Sequence, residues 1–453
     1  MRFILAALTA AIFWVGSALA EYPGGLADYY EGALTIDGTP VAVSVSFSEA
    51  DDGALTAKTV IAEWITYDLD PDPVRLTKTG VVIEGFYGGD AVLQRDERFG
   101  QLVGTIENET RDIRLHLKPL PAPPPPAFTE EAVTFTSTDG VDLKGILTVP
   151  KFGKRHPAII LFHGRGCGRR SLGEARFYAR RGMAALTFDK RGSGESGGSC
   201  QDATHAQTVA DAAAALSFLA SDRRIDRRRI GYRGISAGAW TSQALAERAA
   251  EKRALPDAAF VITWIGPSTS IRQQQLSSAE TYGRLAGLGD EEIALAQEAV
   301  RLLTDPEVPD GEAEERLLAI RARAEEDGWL SVMFAPDDLP DGPGKLGASF
   351  LKKFRYDPEG AFGALGETPY LGVFGETDQI VPLEENLEAL KAAFEGSDAL
   401  TIVTIPGLGH QIEHGDLEAA LPDGTSFLKI DTVEPGYLIA TQAFLRRHGF
   451  MPL

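Results

Sequence analysis

Cysteine is nearly missing from this chain: two in 453 residues, Cys167 and Cys200, so no more than one internal disulfide can form. Histidine is scarce too, at seven, which lets an imidazole base be sought by elimination. Positive charge is in deficit, with 44 Lys and Arg against 65 Asp and Glu, a formal −21. Such an acidic surface repels nucleic acid and anionic membranes, which makes both poor partners. Beyond the first twenty residues no run is apolar enough to cross a bilayer.

That first run has its own meaning. Arg2, an apolar stretch from Phe3 to Val15, and Ala18-Leu19-Ala20 before Glu21 spell an export signal over residues 1–20. Its apolar core is short for a membrane span and ends in the small residues that a signal peptidase accepts. An N-terminal membrane anchor is the alternative; with the signal, the expected location is the periplasm or the exterior. Export to an oxidising compartment, and placement in loops after successive strands, make Cys167 and Cys200 a candidate disulfide. Such a bridge stabilises by about 3–4 kcal/mol on the chain-entropy account. Two unpaired thiols are the alternative.

Proline marks the boundary. Pro119-Leu120-Pro121-Ala122-Pro123-Pro124-Pro125-Pro126 reads as an extended spacer, here taken as a linker over residues 119–128. Before it, residues 21–118 carry the period-2 alternation of half-buried strands. Val41, Val43, Val45 and Phe47 alternate with smaller or polar residues, and Asp37-Gly38 gives a tight turn. Ile113, Leu115 and Leu117 repeat the alternation. A small antiparallel all-β accessory domain of about six to eight strands follows from the spacing of turn signals.

After the linker, residues 129–453 alternate strands and helices. Val133–Ser137 and Leu143–Val149 read as an antiparallel opening pair. Ala158–Phe162, Met183–Phe188, Ile225–Ile235, Ala259–Ile265, Tyr370–Phe374 and Leu400–Ile405 read as core strands. Helices are expected over Gly173–Arg181, Val209–Ala220 and Ile439–Arg447. The predicted fold class is α/β, a doubly wound, mostly parallel sheet. Residues 267–365 interrupt it with polar, helical sequence, an insertion placed to form a lid over the strands' C-terminal ends.

Gly234-Ile235-Ser236-Ala237-Gly238 joins the strand ending at Ile235 to a helix-forming run from Ala239. A sharp strand-to-helix turn pushes a serine hydroxyl outward, toward the free N–H groups of the helix. Gly194-Glu195-Ser196-Gly197-Gly198 also fits the G-x-S-x-G pattern, but no helix opens directly after it. Ser196 therefore reads as a loop residue whose substitution does little, and Ser236 as the nucleophile.

A nucleophilic serine needs a base, and the base an orienting carboxylate. Elimination among the histidines leaves His410 and His414. His410 follows the strand Thr401–Ile405 through a short glycine loop and is preferred, with His414 the alternative. Asp378 lies just past the strand Leu371–Phe374, with Glu376 the second choice. The chain order Ser, Asp, His suits this sheet. An oxyanion needs N–H donors. One is expected from Ala237. The other is expected from His163-Gly164-Arg165-Gly166, with Arg165 first and Gly166 second, while His163 braces the loop.

In order, His163–Gly166, Asp189-Lys190-Arg191-Gly192-Ser193-Gly194-Glu195-Ser196, Gly234–Gly238, Gly375-Glu376-Thr377-Asp378 and Gly409-His410 resemble the α/β-hydrolase superfamily. The resemblance covers about 135–450 and extends to exported bacterial esterases and to the dienelactone-hydrolase-like and prolyl-oligopeptidase-like branches. It implies Ser236, Asp378 and His410 as a triad, a small-molecule ester or acyl substrate, and no metal or organic cofactor. A paired Cys167 and Cys200 would stiffen two loops near the pocket. An exo-acting peptidase holding a free amine with Asp337, Asp338 or Asp341, or a thioesterase, could run on the same triad. A non-catalytic binding protein is the reading from a different class.

Overall fold

The computed structural model describes residues 26–61, 65, 71–86, 89–106, 112–251, 254–333, 336–410 and 435–452. The export signal expected over 1–20, and His414, lie outside the described residues.

Contacts divide the chain into two units, with Pro126–Leu453 belonging to the second. The first is a closed barrel of eight strands. They are β1 (Tyr29–Ile36), β2 (Thr39–Glu49), β3 (Leu55–Val60), β4 (Asp72–Leu76), β5 (Gly80–Ile83), β6 (Ala91–Arg95), β7 (Leu102–Ile106) and β8 (Ile113–Leu120). Each pairs antiparallel with its neighbour in sequence, and β1 closes on β8 with Leu34 opposite Leu115. Closure leaves no free edge. The alternation turns Val43, Val45 and Phe47 inward, where all are buried. Asp37 and Gly38 both take positive φ, 47° and 84°, as the two-residue hairpin between β1 and β2 requires. Pro119 and Leu120 differ from expectation. They belong to β8, paired with Tyr30 and Tyr29, so the proline-rich spacer starts later than its composition suggests. A strand end tolerates one missing N–H.

The second unit is built on a sheet of eight strands in the order β16-β15-β14-β13-β11-β12-β10-β9. These are β9 (Phe128–Thr136), β10 (Asp142–Pro150), β11 (His156–Phe162), β12 (Ala184–Phe188), β13 (Ile225–Ile235), β14 (Val261–Trp264), β15 (Tyr370–Gly375) and β16 (Leu400–Ile405). β9 pairs antiparallel with β10, and β10 antiparallel with β12; the pairings from β12 through β11, β13, β14 and β15 to β16 are all parallel. The inner strands β11, β12, β14 and β15 are buried along their whole lengths, which explains their continuous apolar runs.

Helices cover both faces. Phe177 and Tyr178 of α1 (Leu172–Arg180) and Tyr437 and Leu445 of α10 (Pro435–Arg447) pack on Ile159, Leu161 and Trp264. On the other face, α2 (His205–Ser221) and α3 (Gly238–Glu251) bring Leu216, Leu219 and Leu245 against Ile160, Tyr232 and Val261. Between β14 and β15 the chain leaves the sheet. It forms α4 (Ile271–Leu285), α5 (Asp290–Thr304), α6 (Asp310–Glu326), α7 (Phe350–Lys353) and α8 (Glu359–Leu365). Ile271, Val300, Leu303, Leu317, Trp329 and Leu351 give this insertion an apolar cluster that also takes in Ala237 and Trp240. The helix α9 (Leu383–Ala393) returns the chain to β16.

Candidate active site

Ser236 stands between the end of β13 and the start of α3, at φ 49°. A left-handed serine is strained and persists only where its surroundings fix it. Here Ser236 N donates to Trp264 O at 3.0 Å and Ser236 O accepts from Ala239 N at 2.8 Å. The flanking glycines are demanded by contact. A Cβ on Gly234 would collide with the Gly238 carbonyl, and one on Gly238 would lie 2.7 Å from the carbonyl oxygens of Phe162 and His163. Strand and helix close together at this turn because neither position carries a side chain.

Ser236 Oγ is 3.0 Å from His410 Nε2. His410 Nδ1 in turn lies 2.9 Å from Asp378 Oδ2. The three residues come from the ends of β13, β15 and β16, which the parallel sheet aligns at one rim. Asp378 is almost fully buried at its side chain, and its Oδ1 also accepts from Ile380 N at 2.9 Å and Val381 N at 2.8 Å. Two backbone donors hold the carboxylate in one orientation while it faces the imidazole. Glu376 is exposed and accepts from Gly407 N at 2.9 Å, so it braces the loop that carries His410.

The glycine loop after β11 reaches the same place. A Cβ on Gly164 would sit 3.3 Å from Ser236 Cβ. Among the described residues, neither the Arg165 nor the Ala237 amide N–H has a hydrogen-bond acceptor. His163 Nε2 contacts Phe188 O at 3.2 Å, and burial, followed by the nearby Arg233 and Lys190 charges, pulls its pKa down to about 4. It is a neutral brace. Cys167 and Cys200 form a disulfide that ties this loop to the segment after β12.

Gly164, Arg165, Ser236, Ala237 and His410 open on a cavity of about 490 Å³. Its other walls are Ile235, Trp240, Ile265, Pro267, Gln274, Gln275, Phe350, Ile380 and Val381. Ile265, a β-branched residue, sits at φ 42°, a second strained position beside the serine. No carboxylate lines the cavity among the described residues. Asp338, considered from sequence as a possible amine partner, is already engaged. It accepts from Arg165 Nη2 at 2.8 Å, Ser349 Oγ at 3.0 Å and Leu351 N at 3.2 Å. The Arg165 guanidinium also lies over the Phe350 ring, 4.5 Å from its centre.

Ser196 has a different place. It is buried, donates from Oγ to Asp189 O at 2.7 Å and receives Lys144 N at 2.9 Å, so it is a fastening of its loop and not an idle residue. The sequence reading did not single out Gln274, Gln275, Trp240 or Phe350 as wall residues. Their helical spacing marks only a buried face, and which cavity that face borders is a tertiary fact.

A sequence model of the S15 peptidase family, described as X-Pro dipeptidyl-peptidase, matches residues 138–316, a span that holds Ser236 but ends before Asp378 and His410. A curated Escherichia coli protein, described as an uncharacterized 31.7 kDa protein in the traX-finO intergenic region, is 37% identical over 93 residues. That match spans 20% of this chain and 32% of the curated relative's length. Among solved structures, the α/β hydrolase GrgF from Penicillium is 20% identical with a TM-score of 0.43, covering 71% of this chain and 99% of the other. The Pyrococcus furiosus esterase Pf2001 is 15% identical with a TM-score of 0.42, over 72% and 95%. Thermogutta terrifontis esterase 2 is 20% identical with a TM-score of 0.41, over 73% and 99%. The strand order, the serine at the β13–α3 turn and the S15 match, all on one chain, support the α/β-hydrolase superfamily.

Proposed function

We propose that the protein is a serine hydrolase of carboxylic esters that works through an acyl-enzyme. Ser236 Oγ attacks the acyl carbon while His410 Nε2 takes its proton, and Asp378 holds and stabilises the resulting imidazolium. The oxyanion that forms is met by the N–H groups of Arg165 and Ala237. The tetrahedral adduct collapses, and the alcohol leaves with the proton from His410. Water then gives a proton to His410 as it attacks the acyl carbon, and His410 returns that proton to Ser236 Oγ as the Ser236–acyl bond breaks and the acid is released.

The observation that carries this reading is the unbroken hydrogen-bonded run from Asp378 through His410 to Ser236, at 2.9 and 3.0 Å. The cavity adds the substrate class. Its walls are chiefly apolar and its volume is about 490 Å³, suited to a small acyl ester. Residues 267–365 serve as a lid in this reading, residues 1–20 as an export signal, and residues 21–118 as an accessory domain. The protein acts in the periplasm or outside the cell.

The S15 match favours a second reading, an exo-acting peptidase on the same three residues. The chiefly apolar wall of the cavity supports the ester reading instead. Hydrolysis of p-nitrophenyl acyl esters against aminoacyl p-nitroanilides separates the two. Turnover of the anilides alone overturns the ester assignment. A fluorophosphonate probe should label Ser236, and Ser236→Ala should lose both the label and about 10⁵–10⁶ in turnover.

A further inference from the structure

Lys190 immediately follows Asp189 in the motif after β12, and its ammonium takes no part in the triad. Its Nζ donates to Gly164 O at 3.0 Å and to Gly166 O at 2.8 Å. Both carbonyls belong to the glycine loop beside Ser236. Lys190 N also donates to Gly168 O at 3.0 Å, so main chain and side chain of one residue bind three carbonyls of a single loop.

A trans peptide points its C=O and its N–H in opposite directions across one plane. Fixing the Gly164 carbonyl toward Lys190 therefore turns the Arg165 N–H away from Lys190. Gly164 itself lies against Ser236, since a Cβ there would be 3.3 Å from Ser236 Cβ. The Arg165 N–H is without an acceptor among the described residues. Charge acts along the same line. An ammonium on the carbonyl end of a peptide polarises it and makes its N–H a stronger donor. Gly166 takes φ 90°, which lets the loop turn its second carbonyl to the same ammonium without strain.

We infer that Lys190 is a positioning residue for the oxyanion site: by gripping the carbonyls of Gly164 and Gly166 it aims and polarises the Arg165 N–H. The inference rests on the proposed acyl-enzyme function. It requires that loss of the ammonium weaken the developing oxyanion more than the bound ground state.

The test compares two ligands of one shape in the full-length protein. An alkyl trifluoromethyl ketone adds to the serine and places an oxyanion in the site. The corresponding methyl ketone binds largely unreacted. Lys190→Met is expected to weaken the trifluoromethyl ketone by about 10- to 100-fold, with kcat falling in parallel, since a donor is misaimed and not deleted. Methyl ketone affinity and KM should stay near the wild-type values. Lys190→Arg, which can still reach both carbonyls, should restore most of the loss. Equal shifts for both ketones, or no shift for either, overturn the inference. If Lys190→Met does not fold, Lys190→Gln is put through the same comparison with the same two outcomes. Fluorophosphonate labelling of the wild type is run alongside. A wild type that is not labelled at Ser236 overturns the function itself, whereas a labelled wild type with an unaffected Lys190 variant overturns only the role of Lys190.

Discussion

Asp338 Oδ2 lies 2.8 Å from Arg165 Nη2, joining the helical insertion between β14 and β15 to the loop beside Ser236. The Asp338 side chain is 2% exposed and that of Arg165 39%. The pair is anchored on the insertion side, where Ser349 and Leu351 also bond the carboxylate, and open on the other. The insertion thereby gains a polar hold on the same loop whose carbonyls Lys190 binds.

Replacing Asp338 by Ala removes the acceptor for Ser349 Oγ and Leu351 N as well as for Arg165. We expect a loss of about 1–3 kcal/mol in urea unfolding, because two donors are left buried and unpaired. Asp338→Asn keeps an acceptor for them and should lose less. Equal losses for the two variants would show that the charge, and not the buried donors, sets the cost.

Ser196 offers a contrast with Ser236 inside the same sequence pattern. Ser196→Ala leaves the Lys144 N–H without its acceptor and should cost about 1–3 kcal/mol of stability. Turnover per folded molecule should stay close to wild type. Active-site titration alongside thermal melts measures both, and a large drop in turnover with an unchanged melt would contradict the assignment.

Arg233, three residues before Ser236, is buried with Glu174, which accepts from its Nε at 2.7 Å. Burial pulls the Arg233 pKa below its ordinary value, and the paired Glu174 carboxylate holds the guanidinium in its charged form. Glu174→Leu strands that charge and should destabilise by about 3–5 kcal/mol. Adding Arg233→Met should recover most of it, since an apolar pair of similar volume avoids the desolvation cost. A double-mutant cycle by chemical denaturation reads this, and a double variant weaker than Glu174→Leu alone would refute it.

Stability should also fall on mild acidification. Burial pulls both His163 and His205 from 6.5 to about 4, and His205 Nε2 is buried without a hydrogen-bond partner among the described residues. The unfolded chain takes up these protons near the ordinary value and the folded one only near the lowered value. The stabilisation is therefore complete above the ordinary imidazole pKa and is lost as pH falls toward about 4. Each imidazole contributes a slope of about 1.4 kcal/mol per pH unit inside that window. Urea unfolding at several pH values should show the decline, and His205→Gln should make it shallower. A variant as steep as the wild type would remove His205 from this account.

Much of this arrangement is local and so can be read along the chain. The serine at the β13–α3 turn needs only a strand, a helix start and two glycines at fixed offsets. Asp378 and His410 each follow a recognisable apolar strand, and strand ends of a parallel sheet share one rim. The barrel strands announce themselves by alternation, because one face is buried and the other wet. Lys190, Asp338, Gln274 and Phe350 carry no such signature. Their roles depend on which carbonyl, guanidinium or cavity another part of the chain brings to them.

The sequence by itself determined the periodicities, the glycine-flanked turn and the order in which serine, acid and histidine occur, because each is a property of neighbouring residues. Only the tertiary structure decided that β12 lies outside β11, that Pro119 and Leu120 complete β8, and that Ser196 fastens a loop while Ser236 meets His410. Those outcomes turn on distances of about 3 Å between groups far apart in the chain, which hydrogen bonds demand and local patterning does not encode.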